Sequence, residues 1–444
     1  MSEIPSSTPP NTGPEVGRGS MLLLRGGLIV ASLVVFGFLA MAVISLLNDD
    51  DAPSSGEATT LEPTDVSTDE TDGGGESDDA GEPDTGDEAG DEASCDAAAG
   101  DLEAELDAFV DEAIAFIETA REQPFLERPE VRLVDVDTMT QIVLDDIEFD
   151  LAEDPEEAAV SLAFSRALGF FGPDDDFLDV YNVFVSGGVL GVYFPRTDEL
   201  LVRSSGELTL MTKATVIHEL VHAFDDQYYD LNAGLDREGD ASWAYTAVAE
   251  GSATYVEDLW KEGLTSQEQA DLSAEELAFD PGDILSLDFG FLIYQTSVYD
   301  AGNAWLDARI AQDGVGAIED AFRNPPATSE QIIEPAGAPG LDVIEVAAPE
   351  VDGEILWQGT GGQALISAIT FLTDPGYDVS QGWGGDAITV YLDPAGNECL
   401  RWDIASDSVT DAAELLAGLE DWVASVSGAS VIDVGELVRV DRCA

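Results

Sequence analysis

Positive charge is what this sequence most conspicuously lacks. Against 92 Asp and Glu it has 16 Lys and Arg, and the formal net charge is −76. Only Lys213 and Lys261 are lysines. A surface of that sign repels phosphates, so nucleic acid is excluded as a partner. Electrostatic adhesion to anionic lipid headgroups is excluded with it. Dense acidic surface stays hydrated, and strong screening relieves its self-repulsion, so a protein adapted to concentrated salt is expected. Its melting temperature should then climb with NaCl; full stability in low salt would contradict that reading. Cysteine is scarce as well, with Cys95, Cys399 and Cys443 alone. Scarcest of all is histidine: the chain has two, His218 and His222.

Long apolar runs are also few, and one stands out. "GLIVASLVVFGFLAMAVISLL", Gly27 to Leu47, is 21 residues without a charge. That length matches the hydrocarbon core of a bilayer. Arg18 and Arg25 precede it and Asp49 to Asp51 follow it. The positive-inside bias puts the N-terminus in the cytoplasm and the remainder outside. A cleaved signal peptide is the competing reading; it would have a shorter apolar region and a small-x-small site.

The expected organisation follows from these shifts in composition. Residues 1–26 are a cytoplasmic disordered segment and 27–47 a single transmembrane helix. Residues 48–99 are an acidic linker that cannot bury enough apolar surface to offset its ordering entropy. Residues 100–345 read as one α+β unit and 346–444 as a smaller α+β unit. In the first, "LEAELDAFVDEAIAFIETA" and "EEAAVSLAFSRALGFF" have helical spacing and "PEVRLVDV" reads as a strand. "GGVLGVYFPRTDELLVRS" reads as two strands about a turn at 195–198. Helical stretches follow at about 207–229, 240–262 and 289–312. In the second unit, "DAITVYLDPAGNECLRWDI", a helix "DAAELLAGLEDWVASV" and "LVRVDRC" are expected. Cys399 and Cys443 each end a strand of it, so they are expected to pair outside the membrane, leaving Cys95 at the end of the linker.

Both histidines lie in "TVIHELVHAFDDQ", Thr215 to Gln227. Two histidines placed at random would fall four apart about 0.5% of the time, and here Glu219 also stands between them. On a helix, residues four apart share a face, so His218 and His222 can hold one metal ion. Glu219 can reach a water activated by that ion and take its proton. The flanking apolar residues place the motif in a dry wall. A catalytic zinc site takes three protein ligands and keeps one position open. With no histidine left, the third is Asp or Glu. The candidates are Asp225, Asp226, Asp230, Asp236, Glu238, Asp240, Glu250 and Glu257. Glu250 is chosen, because Ala247, Ala249, Gly251 and Ala253 let its helix approach the first and desolvate a carboxylate that needs a cation partner. Glu257 and Asp258 fit a solvated face better. Asp225, Asp226 and Gln227 could orient an imidazole or simply end a polar helix. Oxyanion stabilisation calls for a donor. Tyr294 and Tyr299 on the 289–312 helix are candidates, with Arg196, Arg203 and Arg309 as rivals.

"HELVH", "AEGSATY" and "YQTSVYDAG" together resemble the gluzincin metallopeptidases, especially the aminopeptidase-N-like branch. The likeness covers about 215–312. It implies a zincin-like domain with a small sheet and a helical half, in which His218, His222 and Glu250 bind Zn2+ and Glu219 is the general base. It also implies that Tyr299 steadies the oxyanion, with Tyr294 a neighbour in the same wall. The segment "DDQYYDLNAGLDREGD" exceeds the family's usual spacing and is expected to be a loop at the cleft. No G-x-M-E-N segment precedes the motif; "GVLGVYF" stands nearest, without the acid that holds a substrate amine. "HAFDDQ" and "PPATSEQI" are also similar to uncharacterised bacterial metalloprotease-like proteins. The expectation is a membrane-anchored, extracytoplasmic zinc peptidase acting on a peptide or protein. The alternatives are a surface-displayed binding or assembly protein with a structural or inactive zinc site, and a zinc hydrolase of a non-peptide bond. No cysteine lies near the motif to close a structural site.

Overall fold

A computed structural model describes residues 30–33, 89–235, 237–334, 343–373 and 378–444. The expected cytoplasmic segment, most of the expected membrane helix and the linker up to residue 88 lie outside them. In chain order the elements are β1 (Val30–Leu33), α1 (Ala89–Arg121), β2 (Val131–Val134), α2 (Val136–Glu153), α3 (Pro155–Leu168), α4 (Phe177–Gly188), β3 (Val189–Phe194) and β4 (Glu199–Arg203). Then come α5 (Leu210–Tyr229), α6 (Leu231–Leu235), α7 (Asp240–Gly263), α8 (Ser266–Ala278), α9 (Phe289–Asp313), α10 (Gly316–Arg323) and α11 (Glu330–Ile333). The C-terminal unit holds β5 (Glu354–Gly359), α12 (Gly362–Thr370), β6 (Trp383–Leu392), β7 (Glu398–Ser406), α13 (Val409–Ser425), β8 (Ala429–Asp433) and β9 (Leu437–Cys443). The class is α+β, as expected.

Two sheets organise these elements. The first has the order β1-β3-β4-β2, with β2 parallel to β4 and the other pairs antiparallel. The second is wholly antiparallel, in the order β5-β6-β7-β9-β8. Cys399 and Cys443 face each other across β7 and β9 and form the expected disulfide.

α5 is the central helix. Thr209 caps its start by accepting from Thr212 N. From there to Asp225 nearly every side chain is buried, the mark of a helix enclosed on all sides. Val216, Ile217, Leu220, Val221 and Phe224 share one core with Val110 and Ile117 of α1 and with Leu200 and Val202 of β4. A second core runs without a break from α4, α7 and α9 into the C-terminal sheet, joining Phe291 and Val248 to Ile388 and Trp402.

Three expectations change. α1 reaches back to Ala89, into the expected linker, because that stretch is rich in Ala and opens with acids near the helix N-terminus. The four described residues of the apolar run 27–47 are not helical: they form β1, pairing antiparallel with β3 and satisfying backbone groups that would otherwise line an open edge. No helix among the described residues is long and apolar enough to cross a membrane. The expected loop after His222 is mostly helix. Residues to Tyr229 complete α5, as the helix expected at about 207–229 has it; Asp230 ends it at φ +52, and the change is that α6 follows, with Leu231 fully buried.

Candidate metal centre

His218 and His222 project from α5 toward α7, where Glu250 meets them. His218 Nε2 lies 3.1 Å and His222 Nε2 3.4 Å from Glu250 Oε2. One ligand atom from each of the three falls within 4.8 Å of the others, and all three residues are buried. The fully buried His222 has no hydrogen-bond partner for Nδ1 among the described residues, and its Nε2 has the Glu250 carboxylate at 3.4 Å. Two buried imidazoles converging with a carboxylate suit a metal ion that prefers mixed nitrogen and oxygen donors. The residues therefore fit zinc.

The approach of α7 depends on glycine. A Cβ on Gly302 of α9 would lie 1.8 Å from Ala247 O, and one on Gly251 would lie 2.4 Å from Gly302 C. Gly251 and Ala247 thus admit α9, whereas Ala253 belongs to the core shared with α5. The expectation that all the small residues of α7 serve α5 is corrected accordingly. The close crossing brings Tyr299 of α9 to the site. Its ring centre is 6.1 Å from that of His218, and it hydrogen-bonds with Glu250. Burial, with the charges of Glu250 and Glu219, pushes the Tyr299 phenol well above its ordinary range, so it keeps its proton.

Glu219 is fully buried beneath β3. A Cβ on Gly191 would lie 2.7 Å from Glu219 Oε1 and 2.6 Å from Thr215 Cγ2. Gly191 therefore leaves room over the carboxylate, beside the strand edge that β1 lines.

Glu257 was missed. Expected on a solvated face, it is largely buried and its Oε2 lies 2.9 Å from His218 Nδ1. Lys261 Nζ holds its other oxygen at 2.7 Å. Burial pushes the Glu257 carboxyl up, but Lys261 and His218 outweigh it and bring it down to about 2. A carboxylate on Nδ1 fixes the tautomer that leaves Nε2 free to ligate. The signal was present: seven residues separate Glu250 and Glu257, two turns on one face. Without a metal, burial lowers His218 but the hydrogen bonds and charges of Glu250 and Glu257 prevail, lifting it to about 10. For His222 burial prevails and the imidazole titrates below its ordinary value. Glu250 is pushed up by burial, yet His222 and His218 hold it below the usual carboxylate range.

The other sequence candidates lie elsewhere. Tyr294 is buried near Phe170 and feels the charges of Asp240 and Asp386 rather than those of Glu250 and Glu219, so it is not a neighbour of Tyr299 in the same wall. Five residues place the two about 140° apart around α9. Asp225 is paired with Arg121 at 2.6 Å, both wholly buried, and accepts from Ser252. Asp226 accepts from Tyr193 and Leu231 N; Gln227 accepts from Leu126 N. These three tie α5 to its surroundings and touch neither histidine. Asp230 ends α5, Glu238 is exposed, and Asp236 lies outside the described residues. Arg196 pairs with Asp146 and Asp150, Arg203 stacks over Phe279, and Arg309 pairs with Asp320.

A family model described as a domain of unknown function, DUF8575, matches residues 353–442, which is the C-terminal unit from β5 to β9. No curated protein and no solved structure matches the chain.

Proposed function

We propose that this chain is an extracytoplasmic zinc-dependent peptidase of zincin-like fold, tethered to the membrane by residues 27–47. One observation carries the reading: both histidines of the chain converge with Glu250 in a buried site, and Glu219, next to His218 in the chain, lies against Gly191 of β3. His218, His222 and Glu250 would hold the zinc, which when bound polarises a carbonyl and makes water a better nucleophile. Glu219 takes the proton from the attacking water and delivers it to the leaving amine. Tyr299, kept protonated by its surroundings, donates to the developing oxyanion. Glu257, held by Lys261, keeps His218 in register.

The β3 edge supports a peptide substrate. β1 lies along it antiparallel, with Ser32 opposite Gly191, so an extended backbone fits above Glu219. Main-chain pairing of that kind aligns a peptide independently of its side chains. In the tethered form residues 30–33 would sit in the bilayer and leave the edge to the substrate.

The test is zinc content per chain and cleavage of casein in high salt. Glu219→Gln is expected to retain one zinc and lose at least about two orders of magnitude in kcat. Equal turnover in that variant, or no zinc in the parent, would sink the proposal.

A further inference from the structure

Three buried carboxyls share neighbours where the C-terminal unit closes on the head of α7: Gly362 lies against Asp240 and Asp386, and Ser329, next to Glu330, donates to Asp240. Asp240 opens that helix and is 2% exposed; Asp386 of β6 and Glu330 of α11 are buried with it. Asp240 Oδ2 accepts from Ser329 N at 2.9 Å, while its Oδ1 has no hydrogen-bond partner among the described residues. Asp386 accepts from the backbone N–H groups of Gly361 and Gly362, at the start of α12, and from Trp402 Nε1 of β7. Tyr294 of α9, also 2% exposed, feels the charges of Asp240 and Asp386, and its hydroxyl has no hydrogen-bond partner among the described residues. The remaining charged groups that act on the cluster are themselves acidic: Glu334 and Asp407, both beside Glu330.

Buried carboxylates without a cation must bind one or take up a proton. Geometry favours the proton. The three carboxyls do not bring ligand atoms within 4.8 Å of one another, as His218, His222 and Glu250 do. Gly362, at φ +78, presses its backbone against Asp240 Oδ1, where an added Cβ would sit 1.9 Å away. The Gly362 backbone thus crowds that oxygen on one side. Burial, reinforced by Asp386 and Glu330 against the opposing Ser329 hydrogen bond, lifts Asp240 to about 8. Burial and neighbouring acids lift Glu330 to about 7, and burial lifts Asp386 to about 6 against its three donors.

We propose that the cluster is a proton-held latch: with Asp240 protonated, the C-terminal unit stays closed on the head of the metal-bearing helix, and ionisation opens that junction. The sign follows from the folded state binding the proton more tightly than the unfolded chain. Its contribution is complete below the ordinary carboxyl range, declines as pH rises, and is gone above about 8. The latch does not depend on the zinc reading.

The test is hydrogen exchange of the whole protein at fixed high salt from pH 6 to 9.5, corrected for intrinsic rates. Protection at the head of α7 and in α12 is expected to fall at least tenfold across that range. Asp240→Asn keeps an acceptor for Ser329 N and is expected to show no such step. Infrared spectroscopy of the parent supplies a readout that needs no variant: the carbonyl band of a protonated carboxylic acid should be present at pH 6 and vanish over the same range. No acid band at pH 6, unchanged protection while the band disappears, or the same step in Asp240→Asn would each overturn the latch.

Discussion

Metal uptake by this site should release one proton, and the structure says from where. Without a metal, His218 titrates near 10 because Glu250 and Glu257 face its two ring nitrogens. His222 titrates below its ordinary value, so it is already neutral at pH 7. A ligating imidazole must be neutral. The solution at pH 7 is about three units below the value of about 10 at which His218 titrates, and each unit corresponds to about 1.4 kcal/mol. Displacing it therefore weakens zinc binding by about 4 kcal/mol, roughly a thousandfold in Kd. Between pH 7 and 8, above the ordinary value from which His222 is lowered, affinity should rise tenfold per pH unit, a slope of one proton rather than two.

The assay is competition against a chromophoric chelator at pH 6, 7 and 8 in constant high salt. Calorimetry in two buffers of different ionisation enthalpy counts the proton directly. Glu257→Gln removes one of the charges that raises His218, so its slope should flatten at lower pH than in the parent. Affinity independent of pH, with no proton released, would refute the argument, because it would mean that Glu250 and Glu257 do not hold a charged His218. The same pairing contributes to stability of the metal-free protein. His218 is raised in the folded state, so that contribution is complete below about 6.5 and is lost as pH rises through about 10.

Other outcomes follow from named contacts. Tyr299→Phe should lower kcat while leaving zinc content unchanged, since the phenol donates to the site without being one of the three converging ligands; loss of zinc in that variant would make it a structural residue instead. Gly302→Ala places a Cβ 1.8 Å from Ala247 O and should destabilise the fold by at least about 1–3 kcal/mol, read as a lower Tm. Because α7 must shift to admit it, zinc occupancy should fall as well; an unchanged Tm would contradict the close crossing.

Much of the site was legible because its helices state their burial in the sequence. The apolar residues flanking His218 and His222 leave no polar face for solvent, and α5 is enclosed accordingly. Glu250 stood out as a lone acid among small residues, and the burial argument for it holds. What the small residues pack against was less legible, because Gly251 and Ala247 could serve either neighbour; only the position of Gly302 assigns them to α9. Glu257 was misread by composition, since "ED" near a helix end looks like solvated surface. Helical phase would have recovered it, seven residues being two turns, and Lys261 four residues on is its partner. The pairing of Tyr294 with Tyr299 failed on the same arithmetic. β1 was illegible for a different reason: an uncharged apolar run satisfies the length rule for a membrane helix and the composition of a strand alike.

The scarcity of cations sharpens the case for a metal. Behind α5, Arg121 is committed to Asp225, and Lys261 is committed to Glu257. Both commitments lie close to the site, and neither leaves a charge for Glu250 or Glu219. Arg196, Arg203 and Arg309 have partners elsewhere. In the metal-free protein the charges that act on Glu250 are those of the two imidazoles, of which His218 holds its proton the more tightly. A buried carboxylate is stabilised far better by a divalent cation than by a shared proton when two neutral imidazoles complete the set. Asp240 and Asp386 make the contrast, since both lie against Gly362 while the two histidines of the chain converge on Glu250. In a chain this poor in positive charge, the two buried acid groups differ in what surrounds them: Asp240 lies against the Gly362 backbone, whereas Glu250 converges with both histidines.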